Sequence, residues 1–122
     1  MKYLKLFEDF NLNDKIPSNE VIDHVMSIHS NVEDFDEGDL LERILRHDYY
    51  EYKIMNIEDI DGYDDFQIDY DVVDEYIEMY ENGKTDYPPI VLDDNNYIID
   101  GTHRINALIE MGIKTIKALV AI

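Results

Sequence analysis

The chain contains no cysteine and has only three prolines and five glycines among 122 residues. Without cysteine there are no disulfide bonds, no thiolate metal ligands and no cysteine nucleophile. No run of about 18 apolar residues exists, so the sequence predicts no transmembrane helix. The first ten residues carry Glu8 and Asp9 and lack the apolar segment of a signal peptide. We therefore expect a cytoplasmic protein without membrane contact, of one domain with a short appendage.

Basic residues are also scarce. Ten lysines and arginines stand against 29 aspartates and glutamates, which gives a formal net charge of −19. Residues 31–100 carry 23 acids and four bases, whereas residues 101–122 carry one acid and three bases. An acidic body of this kind repels nucleic acid, which argues against direct DNA binding. It suits solubility, or a basic protein partner.

The clearest structural pattern lies in residues 87–122. Two short apolar runs, 90–92 and 97–99, flank four turn-forming residues and predict a β-hairpin. Apolar residues then recur at helical spacing up to Gly112, and a last strand follows. The other predicted elements are a helix from Ser18, a helix over 40–45, a first core strand over 49–60 and a helix between Asp71 and Gly83.

Asp100-Gly101-Thr102-His103-Arg104 joins the hairpin to the helix. Gly101 permits a steep turn and close approach of a ligand, and Thr102 is a suitable N-cap. The first amides of a helix have no intrahelical partner, and the helix dipole favours an anion beside them. Arg104 adds a charged donor fork that matches phosphate, and His103 donates a hydrogen bond or carries a proton. The junction predicts a phosphate site; the alternative is a capped turn with a surface arginine.

The stretches PPIVL, YIIDGTHRINAL, MG and IKALV resemble the ParB/sulfiredoxin-like superfamily. In that family a strand-turn-strand leads into a short sequence motif of the type G-x-[HR]-R, called the box below, at which a helix begins. The resemblance begins near residue 52. It implies an α+β fold, with a small mixed β-sheet of this type in residues 49–122 and a helical extension in residues 1–48. The opening residues are similar to those of tailed-bacteriophage proteins, which implies location in the host cytoplasm.

The resemblance also implies a ligand, because the box of this family binds nucleotide phosphates. The ligand would be ATP or CTP, with Mg²⁺, and the binding residues would be Gly101, Thr102, His103 and Arg104. Members of the family differ in activity. The lack of cysteine excludes the chemistry of the sulfinic-acid reductase members, so phosphoryl transfer or nucleotide hydrolysis is the predicted reaction.

Four residues are the predicted catalytic groups. In kinase members an acid after the first strand activates the acceptor hydroxyl, which implies Glu58 first and Asp61 next. Asp100 would bind the Mg²⁺ or act as a base, with His103 beside it. The alternatives stay open. In them Asp100 is a turn-forming residue, and Glu58 and Asp61 are ordinary acids of an acidic loop.

A second hypothesis belongs to a different class. An acidic phage protein of this fold would bind and inhibit a basic host protein, such as a nuclease or a defence factor, without catalysis. Its acidic side chains would then substitute for DNA phosphates. Loss of Arg104 separates the two hypotheses, because catalysis depends on this arginine and mimicry does not.

Overall fold

The computed structural model describes residues 11–28, 37–63, 68–83 and 89–122. The α+β prediction is confirmed. None of the helices in these ranges has the length and apolar character that a membrane span requires. The elements in chain order are β1 (Lys15–Pro17), α1 (Ser18–Ile28), α2 (Glu37–Leu45), β2 (Tyr49–Asn56), α3 (Tyr70–Glu81), β3 (Ile90–Leu92), β4 (Ile98–Asp100), α4 (Thr102–Glu110) and β5 (Thr115–Ala121).

The five strands form one mixed sheet in the order β1-β2-β5-β3-β4. Strands β2 and β5 are antiparallel, with a register that runs from Tyr50 opposite Ala121 to Asn56 opposite Thr115. Strand β3 lies parallel to β5 and antiparallel to β4. The predicted hairpin is therefore present at one side of the sheet, and its second strand leads directly into α4.

Both faces of the sheet are covered, because apolar side chains alternate along the strands with a period of two. On β5, Ile116, Ala118 and Val120 belong to the core beneath α3 and α4. Leu119 and Ala121 point the other way, into the core beneath α1 and α2. The described residues thus form three layers, with a pair of helices on each side of the sheet.

The N-terminal part, predicted as a helical extension, contributes more than helices. Strand β1 pairs with β2, with Ile16 opposite Tyr50. The hydroxyl of Tyr50 donates to the carbonyl of Ile44 at 2.7 Å, and Arg43 Nη2 donates to the carbonyl of Ile98 at 2.9 Å. Helix α2 is therefore tied to the sheet by hydrogen bonds as well as by apolar packing, and α1 is held by apolar packing. The division into 1–48 and 49–122 stays a prediction.

Three local predictions need correction. The first core strand ends at Asn56, where a single 3₁₀ turn follows, rather than continuing to residue 60. Asp69, not Asp71, caps α3, since its side chain accepts the Asp71 N–H at 3.0 Å. Thr102 is the first residue of α4 rather than its N-cap. Gly101 takes the cap position with φ of 111°, a left-handed value that a side chain disfavours.

Candidate functional site

The junction between β4 and α4 depends on Gly101. Besides its positive φ, this glycine has almost no space around it. A Cβ atom added there would overlap the Ile90 side chain and would lie 2.9 Å from Arg104 Nη2. The arginine is therefore packed against the glycine at the start of α4, which accounts for a residue without a side chain at this position.

Arg104 and Asp100 form a buried ion pair across this junction. Arg104 Nη2 lies 2.8 Å from Asp100 Oδ2, and the two side chains are 2% and 7% exposed. Asp100 ends β4 and Arg104 lies in the first turn of α4, so the pair locks the strand to the helix. Breaking such a pair on one side only leaves an uncompensated buried charge, at a cost of about 3–5 kcal/mol.

The ion pair with Asp100 involves only one of the two terminal nitrogens of the Arg104 guanidinium. Arg104 Nη1 is buried and, among the residues that the structure describes, has no hydrogen-bond partner. Buried donors in folded proteins are nearly always paired, with protein, ordered water or a ligand. This donor lies at the end of α4 that carries the positive pole of the helix dipole. An ordered water or an anion whose oxygen accepts from Nη1 would satisfy this donor.

His103 connects the first turns of α3 and α4. The backbone N–H of Asp69 donates to His103 Nε2 at 3.1 Å. The contact requires Nε2 to be the unprotonated nitrogen of the ring. It brings the N-terminus of α3 beside that of α4, so the positive poles of two helix dipoles lie close together.

Beside His103 lies an open groove with a volume of about 590 Å³. Tyr70, the first residue of α3, is 59% exposed there. Carboxylates of the same helix turn are also present in the groove. Its lining residues are Ile68, Asp69, Tyr70, Asp71 and His103.

Thr102 lies at the start of α4, where its carbonyl accepts a hydrogen bond. Asn106 Nδ2 donates to this carbonyl at 2.8 Å and to the carbonyl of Tyr63 at 3.1 Å. The asparagine thereby holds the first turn of α4 against the segment that follows the 3₁₀ turn. Thr102 itself is half-buried, at the surface of the junction.

Glu58 lies away from the junction. It lines a second open groove together with Ile109 and Gly112, at the C-terminal end of α4. Helix α4 has nine residues, which corresponds to about 13 Å at a rise of about 1.5 Å per residue. The structure therefore places Glu58 and the residues 100–104 at opposite ends of one helix.

Asp61 lies beside the start of β4, opposite Tyr97. Its N–H donates to the carbonyl of Asn96 at 3.0 Å, and its carbonyl accepts from the N–H of Ile98 at 2.9 Å. These bonds hold the backbone of Asp61 along the outer edge of β4, at the strand's start, with the side chain exposed. Asp100 is at the other end of that strand. The structure thus brings residues 100–104 together and leaves Glu58 and Asp61 outside this group; the catalytic roles stay predictions.

The burial of Arg104 and the position of Tyr70 beside His103 in one groove were not predicted from the sequence. The helical spacing does indicate the burial of Arg104, because this residue precedes Leu108 by four positions and lies on the apolar stripe of α4. The i, i+4 spacing from Asp100 is a second signal, although it crosses a strand-to-helix junction. Nothing in the sequence distinguishes Tyr70 from the nine other tyrosines of the chain.

The solved structures that are similar to this chain include two of the N-domain of a pNOB8-like ParB. The first, described as its C2221 form, is 22% identical with a TM-score of 0.48, over 58% of this chain and 29% of that chain. The second is 21% identical with a TM-score of 0.44, over 58% of this chain and 27% of that chain. Over the matched 58% of its length, the chain is similar in fold to this one N-domain. The chain spans less than a third of the length of these structures. Protein-family models and curated proteins give no match.

Proposed function

We propose that the protein binds a nucleotide, ATP or CTP, with its phosphates at residues 101–104 and the N-terminus of α4. One observation carries the proposal. The Arg104 guanidinium is held by Asp100 against Gly101, and its Nη1 donor has no hydrogen-bond partner among the described residues. A phosphate oxygen is an acceptor that matches such a donor in charge and geometry.

The backbone of α4 supports the same end of the helix. Of the three bases in residues 101–122 only Arg104 lies at this end, since Lys114 lines the groove at the C-terminal end of α4 and Lys117 lies on β5. The first-turn amides of α4 add donors, and Gly101 provides no side-chain cap that competes for them. A phosphate group is therefore attracted to this end of the helix and repelled by most of the remaining surface.

Mg²⁺ fits this site as an ion that the nucleotide carries. The described residues contain no group of three or more side chains that would hold a metal. Protein-bound Mg²⁺ often uses only one or two carboxylates together with phosphate oxygens. Asp100 is the predicted carboxylate, although its Oδ2 already binds Arg104. When bound, the ion supplies neutralisation of phosphate charge, and Asp100 in any case orients the arginine.

The geometry supports nucleotide binding more directly than it supports the predicted phosphoryl transfer or hydrolysis. A general base must lie within hydrogen-bond reach of the proton that it removes. Glu58 lines the groove at the far end of α4, and Asp61 lies at the far end of β4. Asp100 and His103 are therefore the catalytic groups that a bound phosphate would have beside it.

The experiment measures thermal unfolding with ATP, CTP, GTP and ADP, with and without Mg²⁺. The test variant is Asp100→Leu with Arg104→Met, which removes both buried charges together. The control is Glu42→Gln with Arg46→Gln, which removes an exposed ion pair of the same i, i+4 spacing. At 100 times its dissociation constant, a ligand of the folded state adds about 2.7 kcal/mol to the free energy of unfolding.

We expect this gain in wild type and in the control, and its loss in the test variant. Absence of stabilisation by every nucleotide in wild type would contradict the proposal. An unchanged gain in the test variant would do so as well, because the phosphates would then bind elsewhere.

A second function, binding of a basic protein partner, is favoured by the outer face of α3. This helix has five acids, all exposed, and no lysine or arginine: Asp71, Asp74, Glu75, Glu78 and Glu81. They extend over about 15 Å at a rise of about 1.5 Å per residue. The spacing is therefore roughly 4 Å per charge, close to the value of about 3.4 Å per phosphate along one DNA strand.

The test of this second function is displacement of double-stranded DNA from a histone-like basic protein, followed by fluorescence anisotropy. We expect displacement that weakens between low and high salt. It should also weaken when Asp74, Glu75, Glu78 and Glu81 become amides. The charge-matched control converts four exposed acids of other elements to amides: Glu42, Asp48, Asp59 and Glu110. Equal loss of DNA displacement in both variants would show that net charge alone causes the displacement. That result would contradict mimicry of DNA by α3.

A further inference from the structure

The groove between the first turns of α3 and α4 has features that a phosphate site does not need. Tyr70 presents an aromatic ring that is 59% exposed, at a position where a helix begins. The groove adjoins the phosphate-binding end of α4, because His103 lines it and belongs to the first turn of that helix. Its volume of about 590 Å³ lies within the usual range of small-molecule sites.

The charges across the groove differ from one side to the other. Its α3 side carries the carboxylates of Asp69 and Asp71, whereas its α4 side is lined by His103, in the first turn of that helix. An anionic group is repelled by the two carboxylates and favoured by the positive pole of the α4 dipole. A ligand with a charged and an uncharged half therefore has one favourable orientation, with the uncharged half over α3.

The α3 side offers the contacts that a nucleoside uses. Exposed aromatic rings stack with bases of any sequence, because every base has a π face. Asp69 Oδ1 already accepts the N–H of Asp71, so it serves as the helix cap. The carboxylate of Asp71 is exposed beside Tyr70, and a carboxylate accepts hydrogen bonds from ribose hydroxyls.

We propose that Tyr70 is the platform on which the base of the bound nucleotide stacks, and that Asp71 accepts the ribose hydroxyls. This inference rests on the proposed nucleotide binding and deepens it. The site then selects ribonucleoside phosphates over inorganic polyphosphate and over 2′,3′-dideoxynucleotides. It accepts purines and pyrimidines alike, because stacking is largely insensitive to base identity.

The test is isothermal titration of the full chain with three probes in the presence of Mg²⁺: ATP, 2′,3′-dideoxy-ATP and inorganic tripolyphosphate. The variants are Tyr70→Ala, Tyr70→Phe and Asp71→Ala. Tyr49→Ala is the matched control, since Tyr49 is 52% exposed on β2 and does not line the groove. Circular dichroism of each variant checks that it is folded.

We expect Tyr70→Ala to weaken ATP binding about fivefold or more, with little change in Tyr70→Phe and Tyr49→Ala. Tripolyphosphate should bind wild type and Tyr70→Ala equally. Asp71→Ala should abolish the preference for ATP over the dideoxynucleotide. This variant also removes a negative charge. Its affinity for tripolyphosphate therefore measures separately how much the lost charge alone changes anion binding.

The outcomes that contradict the two proposals are distinct. If tripolyphosphate and ATP bind wild type, and Tyr70→Ala binds ATP as tightly as wild type does, the nucleoside assignment is wrong and the phosphate site stands. If the dideoxynucleotide binds wild type as tightly as ATP does, the role of Asp71 is wrong. If no probe binds wild type, the proposed function is wrong, and the nucleoside assignment is wrong with it.

Discussion

Arg104 Nη2 donates to Asp100 Oδ2 at 2.8 Å, and this buried bond connects the last residue of β4 to the first turn of α4. The two residues were predicted to act separately, one on phosphate and one on a metal or a proton. Their contact means that a change at either position affects both. Each must therefore be tested against a variant of the other.

We predict that Asp100→Ala lowers the free energy of unfolding by about 3–5 kcal/mol, because Arg104 is then buried without its partner. Asp100→Leu with Arg104→Met should cost much less, since no buried charge remains. Urea denaturation of both variants and wild type measures the difference. A double variant as unstable as Asp100→Ala would show that apolar packing, not charge, dominates at this junction.

Gly101→Ala should destabilise the fold by more than the strain of its φ alone. A non-glycine residue in a disfavoured backbone region costs about 1–3 kcal/mol. At Gly101 the new methyl group also overlaps the Ile90 side chain. Gly83→Ala is the control, because its φ is 94° but no atom lies within 4 Å of the added Cβ. Equal losses of stability in the two variants would contradict a steric role for the junction.

Stability should fall above pH 10 through Tyr50. Burial raises the pKa of its hydroxyl well above the usual 10.0, and the negative charge of Asp93 adds to this, whereas Arg43 acts in the opposite direction. The folded state thus keeps a proton that the unfolded state releases. The contribution is fully present below pH 10 and is lost as the pH rises toward the raised pKa. Burial also raises the pKa of Tyr52.

The measurement is the free energy of unfolding from pH 7 to pH 11 in wild type and Tyr50→Phe. At pH 7 the variant should be about 0.5–1.5 kcal/mol less stable, because the bond to the Ile44 carbonyl is lost. Above pH 10 its stability should fall less steeply than that of wild type. Parallel curves for the two proteins would show that other groups cause the alkaline loss.

Arg43→Met should destabilise the fold by about 1–3 kcal/mol, because it leaves the Ile98 carbonyl without this donor. Arg46→Met is the matched control. It lies three residues later, is exposed, and pairs with Glu42 at 3.5 Å, an interaction worth about 0–1 kcal/mol. Chemical denaturation compares the two. Similar losses would argue that Arg43 contributes only its charge.

Residues 49–122 expressed alone should fail to form a soluble folded protein. The core beneath α1 and α2 includes side chains of β2, β3, β4 and β5, which this truncation would expose to water. Circular dichroism and gel filtration test the prediction. A monodisperse, cooperatively unfolding fragment would instead support an independent domain that begins near residue 49.

The elements near the C-terminus were predictable because their signals are local. The turn after β3 follows from Asp93, whose carboxylate accepts the N–H groups of Asn95 and Tyr97 at 2.8 and 2.9 Å. The end of α4 follows from Gly112, with φ of 77°. Turn chemistry and helical spacing act over a few residues, so the order of elements is readable from the chain.

The sequence by itself determined the hairpin, the glycine junction, the helix after it and the acidic charge of the surface. Tertiary structure alone decided that Arg104 faces inward onto Asp100, that Glu58 lies at the other end of α4, and that Tyr70 meets His103 in one groove. The physical reason is range. Local preferences depend on neighbours along the chain, whereas burial and ion pairing depend on which distant elements the sheet brings together.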